Sequence, residues 1–229
     1  ICYYLNLILN SKISTVYIML TIQYISDIHL KFRYNLPKIK ALADILVLAG
    51  DIGDPRSKIY KWFLSDVSSK FKKIFLICGN HDYYGSDIES TNQFIRELLV
   101  AWPNITFLDN DYEDYCGYRF IGSVLWDQEA TATSNDYKCI EGHTLESRTK
   151  LHTNCRQYIQ SMINVPQKTI LITHFPPGNL LDGPIVWIYG HVHTPSDALA
   201  NNGTRLVCNP IGYPEEYHIN HSYNKVIDI

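Results

Sequence analysis

The chain has 229 residues, of which 46% are apolar, and it carries 20 lysine and arginine residues against 23 aspartate and glutamate residues. This length suits one domain with a substantial hydrophobic core, and the composition excludes collagen-like, low-complexity and disordered proteins. The formal charge of −3 argues against a protein whose main work is non-specific nucleic-acid binding, because such a protein needs a basic face.

A patchy apolar segment precedes the first clear strand. Polar side chains interrupt residues 1–18, so the segment has no run close to the roughly 20 apolar residues that cross a bilayer. It also lacks the basic region and the cleavage site of a secretory signal. Because Met19 stands just before that strand, we expect residues 1–18 to be a non-native or disordered N-terminal extension of a single domain at residues 19–229. An additional strand or a membrane-associated segment is the alternative.

Eight short apolar runs, rich in Ile and Val, predict β-strands. Continuous runs of four to six apolar residues are typical of strands that are buried on both faces. The runs lie at residues 22–26, 45–49, 74–78, 105–108, 120–125, 169–173, 185–189 and 205–208. Since helical patterns alternate with the early runs, we expect an α/β domain whose sheet is largely parallel at first.

Three helices are predicted between the strands, where apolar side chains recur at helical spacing. Pro103 ends the second helix, and the third covers about residues 147–162. The polar stretch 127–142 is the predicted surface insertion. The side chains expected to face inward are Ile59, Phe63, Val67 and Phe71 in the first helix, Phe94, Ile95, Leu98 and Leu99 in the second, and Leu151, Cys155, Ile159 and Met162 in the third.

Five of the predicted strands run into loops that carry Asp, Asn or His. In open α/β sheets, ligands bind beyond the carboxyl ends of the strands, so we expect these loops to meet at one site. Oxygen and imidazole donors without a thiolate suit Mn, Fe, Zn and similar cations. The residues are Asp27 and His29, Asp51 and Asp54, Asn80 and His81, His174, and His191 and His193.

This ordered set resembles the calcineurin-like metallophosphoesterases. The pattern D-x-H, G-D-x-x-D, G-N-H-D, a lone His and G-H-x-H stands at residues 27–29, 50–54, 79–82, 174 and 190–193. The resemblance covers about residues 21–215, and the blocks at 120–126, 135–136 and 209–213 look like those of small single-domain, prokaryotic-type members. It implies an α/β fold that is a four-layer α-β-β-α sandwich, with two mixed β-sheets flanked by helices.

The resemblance also implies ligands for two divalent cations, which we expect to be Mn²⁺, with Fe, Zn, Ni and Co as alternatives. His81 would be the catalytic imidazole, and Asp54 its partner. The implied ligands are Asp27, His29 and His193 for one cation, Asn80, His174 and His191 for the other, and Asp51 as the bridge between them.

Elementary electrostatics agrees with this division. Two divalent cations about 3.5–4 Å apart need a shared anionic ligand, which Asp51 can supply. The cations together carry a charge of +4, and the carboxylates of Asp27 and Asp51 return −2. The remaining charge of +2 attracts a phosphate group and stabilises the negative charge that develops during attack at phosphorus.

These features favour a dinuclear-metal-dependent phosphoesterase that hydrolyses a phosphate mono- or diester by attack of a metal-bridging hydroxide. A cation lowers the pKa of its bound water to near neutrality. An imidazole can exchange a proton in the same range, so His81 would assist the leaving group as a general acid or hold a phosphoryl oxygen. The expected partner is a small phosphorylated substrate, and we expect no association with a membrane.

Two other functions could use the same fold. A nuclease needs a positive track for the nucleic-acid backbone, which a charge of −3 without a basic run disfavours. A non-catalytic scaffold would be marked by the loss of His81 or of several ligands, and all of them are present in the sequence.

Several polar residues have structural interpretations. Asp54 could cap the helix that follows it, and Asp82 could bond the backbone of its turn. Asn135–Asp136 could reach the substrate or could belong to a solvated loop. We interpret Asn209 and Tyr213 as structural.

The six cysteines are scattered along the chain without a C-x-x-C pair. In a chain of this length they predict reduced thiols in a cytoplasmic protein rather than a disulfide framework.

Overall fold

A computed structural model of the protein describes residues 7–9, 12–14, 19–128, 134–163, 168–178, 182–216 and 222–229, the first two ranges through their backbone alone. Strand β1 (Leu7–Leu9) pairs antiparallel with β2 (Lys12–Ser14) in a small sheet of its own. This hairpin lies inside the segment that we predicted to be an extension. The assignment of residues 19–229 to one domain stays a prediction.

Two larger mixed sheets form the body of the described structure. The first has five strands, of which the last four are mutually parallel and the edge strand is antiparallel. In spatial order they are β13 (Val226–Asp228), β3 (Thr21–Ile25), β4 (Ile45–Ala49), β5 (Lys73–Ile77) and β6 (Ile105–Phe107).

The second large sheet has six strands, with four parallel strands in the middle and an antiparallel strand at each edge. In spatial order they are β11 (Ser196–Leu199), β12 (Arg205–Cys208), β10 (Pro184–Tyr189), β9 (Lys168–Thr173), β8 (Tyr118–Ser123) and β7 (Asp111–Tyr115). The predicted α/β fold with two mixed sheets is therefore confirmed, and the expectation of parallel pairing holds for the central strands of both sheets.

The central strands are apolar throughout because both of their faces are buried. In β4, Ile45, Val47 and Ala49 join the cluster that lies between the two large sheets, together with Phe120 and Ile170 of the second sheet. The alternate positions of β4 point the other way, toward the cluster that contains the helices. Side chains that alternate between two apolar layers explain why the sequence shows continuous runs instead of alternation.

Four helices are described: α1 (Lys58–Ser68), α2 (Ile88–Leu99), α3 (Asp136–Cys139) and α4 (Leu145–Ile163). Ser57 begins α1 by accepting a hydrogen bond from the backbone nitrogen of Tyr60, at 3.2 Å, and Asp87 begins α2 in the same way with Ser90, at 2.8 Å. None of these described helices is long and apolar enough to cross a membrane.

The inward face of α1 differs slightly from the predicted stripe. Its buried residues are Tyr60, Phe63, Leu64 and Val67, whereas Ile59 is only partly buried and Phe71 lies beyond the end of the helix. Spacings of three and four residues keep side chains on one helical face, while a strict spacing of four drifts around the axis.

The predicted reduced state of the cysteines is confirmed at the free thiols of Cys78, Cys139, Cys155 and Cys208. It is wrong at Cys116, which is disulfide-bonded. Three of the free thiols are buried in the core, whereas Cys116 lies in the short turn between β7 and β8 at the edge of a sheet. Because Cys116 is only partly buried in this turn, a second cysteine can reach its sulfur.

Candidate metal centre

The predicted ligands converge at the carboxyl ends of strands from both large sheets. The first sheet brings Asp27 and His29 after β3, Asp51 after β4 and Asn80 after β5, and the second brings His174 after β9 and His191 and His193 after β10. The two sheets meet at this edge through a bridge between Ser26 and Pro210. The site is therefore assembled from five loops that lie far apart in the sequence.

Unusual backbone conformations aim these side chains. Positive φ angles are rare for residues other than glycine and cluster at functional sites, where surrounding contacts must hold them. Here the backbone nitrogen of Asp27 donates to the carbonyl of Gly50, and that of His29 to the carbonyl of Asp51, each at 3.0 Å. The positive φ angles are 52° at Asp27, 49° at His29, 54° at Asp51, 71° at His191 and 48° at His193.

One group of donors consists of Asp27, His29 and His193, whose ligand atoms lie within 4.8 Å of one another. Nε2 of His193 is 3.4 Å from a carboxylate oxygen of Asp27 and 3.0 Å from Nε2 of His29. Two imidazole nitrogens that face each other beside a carboxylate are well suited to share a cation, because their lone pairs otherwise oppose one another.

A second group surrounds His174. Its Nδ1 lies 3.1 Å from the carbonyl oxygen of Ala49, so this nitrogen donates to the carbonyl. Nε2 then presents its lone pair to two acceptors, the amide oxygen of Asn80 at 3.1 Å and a carboxylate oxygen of Asp51 at 3.4 Å. Three acceptors that converge in a buried position need a cation or a proton between them.

Asp51 lies between the two groups. Its Oδ2 is 3.9 Å from Nε2 of His29 and 3.4 Å from Nε2 of His174, while its Oδ1 accepts a hydrogen bond from the backbone nitrogen of His81 at 2.9 Å. Burial disfavours the charged carboxylate, but the surrounding imidazoles, His174 first, outweigh burial and hold the pKa of Asp51 well below its ordinary value. Asp51 is therefore an anion that faces both donor groups.

His191 is partly buried. Its ring packs against Phe175 at 4.2 Å and lies 5.3 Å from the ring of His174, measured between ring centroids. Its backbone nitrogen donates to both carboxylate oxygens of Asp27, at 3.0 and 3.1 Å. The loop that carries His191 is thus fixed to the first donor group while its ring faces the second.

The histidines have different protonation tendencies. Burial lowers the pKa of His29 and of His191 to about 4, so that both are neutral donors near pH 7. For His174, burial opposes the charge, but the Asp51 carboxylate outweighs burial and raises the pKa to about 9. For His193, burial again opposes the charge, but the Asp27 carboxylate outweighs burial and raises the pKa. A cation would take the place of these protons, because imidazole binds metals through its neutral form.

Close packing of the backbone brings the loops together. A Cβ atom at Gly79 would lie 2.6 Å from the backbone nitrogen of Asp51, a distance that real Cβ atoms essentially never show. Only glycine therefore fits where the loop after β5 passes Asp51.

Asp82 connects the loops after β4 and β5 through hydrogen bonds. Its buried carboxylate accepts hydrogen bonds from the backbone nitrogens of Asp51 at 2.9 Å, Gly53 at 2.8 Å and Gly79 at 2.8 Å. The prediction that Asp82 bonds nearby backbone is confirmed, and its bonds extend to a loop 31 residues away. Burial and then the neighbouring Asp51 raise the pKa of Asp82.

His81 stands at the partly exposed mouth of the site. Its ring stacks on Tyr84 at 4.3 Å between centroids, and its Nε2 is 3.5 Å from the hydroxyl of Tyr213. Tyr213 also stacks on His29 at 4.3 Å. The interpretation of Tyr213 as structural stays a prediction, and the structure places its ring against His29 and His81 in the wall of the site.

The predicted partnership of Asp54 with His81 is not formed within the described structure. The exposed carboxylate of Asp54 accepts a hydrogen bond from the backbone nitrogen of Arg56 at 2.9 Å. Such a bond to the residue two positions ahead turns the carboxylate toward its own loop. Asp54 thus bonds its own loop ahead of α1, and the alternative that Asp54 caps this helix is also wrong, because Ser57 is the cap.

Two carboxylates that the sequence analysis did not assign lie behind the donors. Asp136 is only 3% exposed and accepts a hydrogen bond from Nδ2 of Asn80 at 2.8 Å, so the solvated-loop interpretation of this residue is wrong. Glu216 accepts from Nδ1 of His193 at 2.9 Å. Asp136 stood in a block of family resemblance, whereas no pattern in the sequence pointed to Glu216. Asn209 is structural, as predicted, since its amide bonds the backbone of Tyr24 and Ser222.

Comparisons with known proteins identify chains of similar sequence or fold. An uncharacterized protein of Acanthamoeba polyphaga mimivirus is 28% identical over 86% of this chain and 93% of its own length. Phosphopantetheinyl hydrolase from Mycobacterium tuberculosis has a similar fold, with a TM-score of 0.71 and 16% identity over 91% of this chain and 95% of that one. A dimetal phosphatase from Danio rerio is similar with a TM-score of 0.51 and 11% identity over 82% and 86% of the two chains.

A family model described as calcineurin-like phosphoesterase matches residues 20–195, which is most of the chain and includes every predicted ligand. The family resemblance inferred from the motifs is confirmed by this match, and the protein belongs to the calcineurin-like phosphoesterases.

Proposed function

We propose that the protein is a dinuclear-metal-dependent phosphoesterase that hydrolyses a phosphate mono- or diester of a small compound. The observation that carries the proposal is the position of Asp51, one ionised carboxylate whose Oδ2 faces His29 at 3.9 Å and His174 at 3.4 Å. A carboxylate shared by two donor groups is what a pair of neighbouring cations requires.

We assign each of the two donor groups to one cation. We propose Mn²⁺ as the native metal, because mixed oxygen and imidazole donors accept it readily. The ligands that we assign are Asp27, His29 and His193 for one cation, Asn80, His174 and His191 for the other, and Asp51 for both.

The protein side chains have separate tasks around the bound ions. When bound, the two cations would supply an activated water and the positive charge that stabilises the transition state. His81 lies at the mouth of the site, where a proton on a ring nitrogen can pass to the oxygen of the leaving group. The backbone bond from His81 to Asp51 and the stacked ring of Tyr84 fix the imidazole in place.

The test is hydrolysis of aryl phosphate monoesters and diesters by the purified protein with Mn²⁺. We expect turnover that EDTA abolishes and that His81→Ala lowers by about 10²–10⁴-fold, the range for loss of a general acid. Metal content, measured on the same samples, should stay at two ions in His81→Ala. Absence of metal-dependent turnover with any ester in the metal-loaded wild type would favour a non-catalytic scaffold.

A further inference from the structure

We propose that Asp136 and Glu216 are positioning residues that each orient one ligand of a different cation. The proposal rests on the function and ligand assignment given above, and it adds two carboxylates that do not themselves belong to the ligand set. Carboxylates behind metal ligands fix the orientation of those ligands and raise their basicity.

Asp136 decides which end of the Asn80 amide faces the cation. The amide has an oxygen that can bind a cation and an NH₂ group that cannot. Because Nδ2 of Asn80 donates to Oδ1 of Asp136 at 2.8 Å, the oxygen of Asn80 is turned toward Nε2 of His174, at 3.1 Å. Without an acceptor at position 136, the amide can rotate and present its NH₂ group instead.

Asp136 is itself held firmly in the acceptor state. Oδ2 accepts from Nη1 of Arg148 at 2.7 Å, and Oδ1 also accepts from the hydroxyl of Tyr84 at 2.8 Å. Asp136 and Arg148 are only 3% and 4% exposed, and Arg148 reaches Asp127 with its other nitrogens. An ionised carboxylate can only accept hydrogen bonds, so the buried guanidinium ensures that Asp136 never donates to Asn80.

Glu216 does the corresponding work for His193. Both of its carboxylate oxygens lie close to Nδ1 of His193, at 3.1 and 2.9 Å. Nδ1 therefore carries the proton, and Nε2 keeps its lone pair for the group formed with Asp27 and His29. The backbone nitrogen of Tyr213 donates to the same carboxylate at 2.6 Å, which fixes Glu216 in turn.

The two roles are separable because the carboxylates bond ligands of different donor groups. Asp136 acts through Asn80, which neighbours His174, whereas Glu216 acts through His193, which neighbours Asp27. Loss of one carboxylate should therefore weaken the binding of one cation and leave the binding of the other unchanged.

Mn²⁺ binding to the purified full chain, followed by isothermal titration calorimetry, tests this directly. We expect Asp136→Ala and Glu216→Ala each to lower the affinity for one of the two Mn²⁺ ions by about 10–100-fold, as is usual for residues behind metal ligands. Glu216→Gln keeps an acceptor oxygen for Nδ1 of His193 and should recover most of the affinity. Asp127→Ala is the matched control, because it removes the other partner of Arg148 without touching Asn80.

Combination with Asn80→Ala identifies the ion that is affected. If Asp136 acts through Asn80, then Asp136→Ala adds nothing to the loss that Asn80→Ala already causes. Glu216→Ala should instead add its full effect to that of Asn80→Ala. A merely structural role would give additive losses in both combinations.

Folding is followed by circular dichroism in EDTA, so that loss of structure is not mistaken for loss of an ion. If Asp136→Ala prevents folding because it leaves the buried charge of Arg148 unpaired, the double variant Asp136→Leu/Arg148→Met replaces the pair by apolar side chains of similar size. This double variant should fold and show the same selective weakening.

The outcomes separate the two proposals. If the wild type binds two Mn²⁺ ions and both alanine variants keep the wild-type affinities, the positioning roles are refuted while the proposed function stands. If the wild type binds no Mn²⁺, the metal-dependent function fails and the positioning roles fail with it.

Discussion

Asp51 is the residue on which both donor groups depend. It lies two residues beyond the end of β4, its φ angle is 54°, and three backbone or side-chain contacts from other loops converge on it. Its neighbours differ in kind: Asp82 bonds its backbone, His81 bonds its Oδ1, and the imidazoles face its Oδ2. A change at this position thus reaches both halves of the site, whereas we assign Asp27 as a ligand of one cation only.

Substitution of these two carboxylates by asparagine should separate their roles. We expect Asp51→Asn to empty or weaken both cation positions, because the bridging charge is lost from each. Asp27→Asn should mainly weaken the position shared with His29 and His193. Elemental analysis of the purified variants measures the difference, and two full equivalents of metal in Asp51→Asn would contradict the bridge.

Asp54 provides a second test at the residue scale. Its carboxylate bonds the backbone of Arg56 and is exposed, so Asp54→Asn should lower kcat/KM far less than His81→Ala does. Asn can make the same bond to the residue two positions ahead, which makes it a close structural match. Losses of equal size in the two variants would instead support the role that the family resemblance implied for Asp54.

At the scale of elements, the two large sheets pack closely enough to require glycine at one crossing. A Cβ atom at Gly122, near the end of β8, would lie 2.8 Å from Cγ2 of Ile77 in β5 and would also overlap Leu108. Ile77 and Leu108 belong to the cluster between the sheets. The spacing of the sheets at this point is therefore set by the absence of a side chain.

Gly122→Ala should destabilise the protein by about 1–3 kcal/mol, the usual effect of an extra methyl group in a packed core. Urea denaturation of the metal-free protein measures this loss. Gly178→Ala is the control, since a Cβ atom at that position meets nothing within 4 Å. Equal stability of the two variants would show that the sheets can separate freely at this crossing.

Strands with two buried faces could be predicted from the sequence, whereas three of the four edge strands of the large sheets could not, the exception being β6. Each of the eight predicted apolar runs overlaps a strand, and the ends of run and strand differ by at most two residues. The strands of the large sheets that were missed, β7, β11 and β13, lie at sheet edges, where few apolar side chains are needed and only the pairing with a neighbour defines the strand. The contacts of Asp136 and Glu216 could not be predicted either, because their partners Asn80 and His193 are brought to them only by the fold.

At the scale of the whole molecule, the candidate site joins the two large sheets. Asp27, Asp51 and Asn80 come from the first sheet, whereas His174 and His193 come from the second. Each donor group contains members from both sheets. A bound cation would therefore connect the two halves of the core as well as serve the chemistry.

Metal should for this reason stabilise the fold. A free Mn²⁺ concentration of 100 times Kd would add about 2.7 kcal/mol for each site, and 1 kcal/mol raises Tm by roughly 2–4 °C in a chain of this size. Thermal unfolding with Mn²⁺ and with EDTA measures the shift. Asp51→Asn, which lacks the bridge, should show little of it. An equal shift in that variant would point to binding elsewhere.

The spread of the donors along the chain has a consequence for biosynthesis. A nascent polypeptide that has left the ribosome as far as β6 already displays Asp27, His29, Asp51 and Asn80, yet it lacks all three imidazoles that follow β9 and β10. On the proposed assignment, the position of Asp27, His29 and Asp51 would then have three of its four ligands, and the position of Asn80 and Asp51 would have two of its four. The proposed pair of cation positions would therefore be complete only after translation has passed His193.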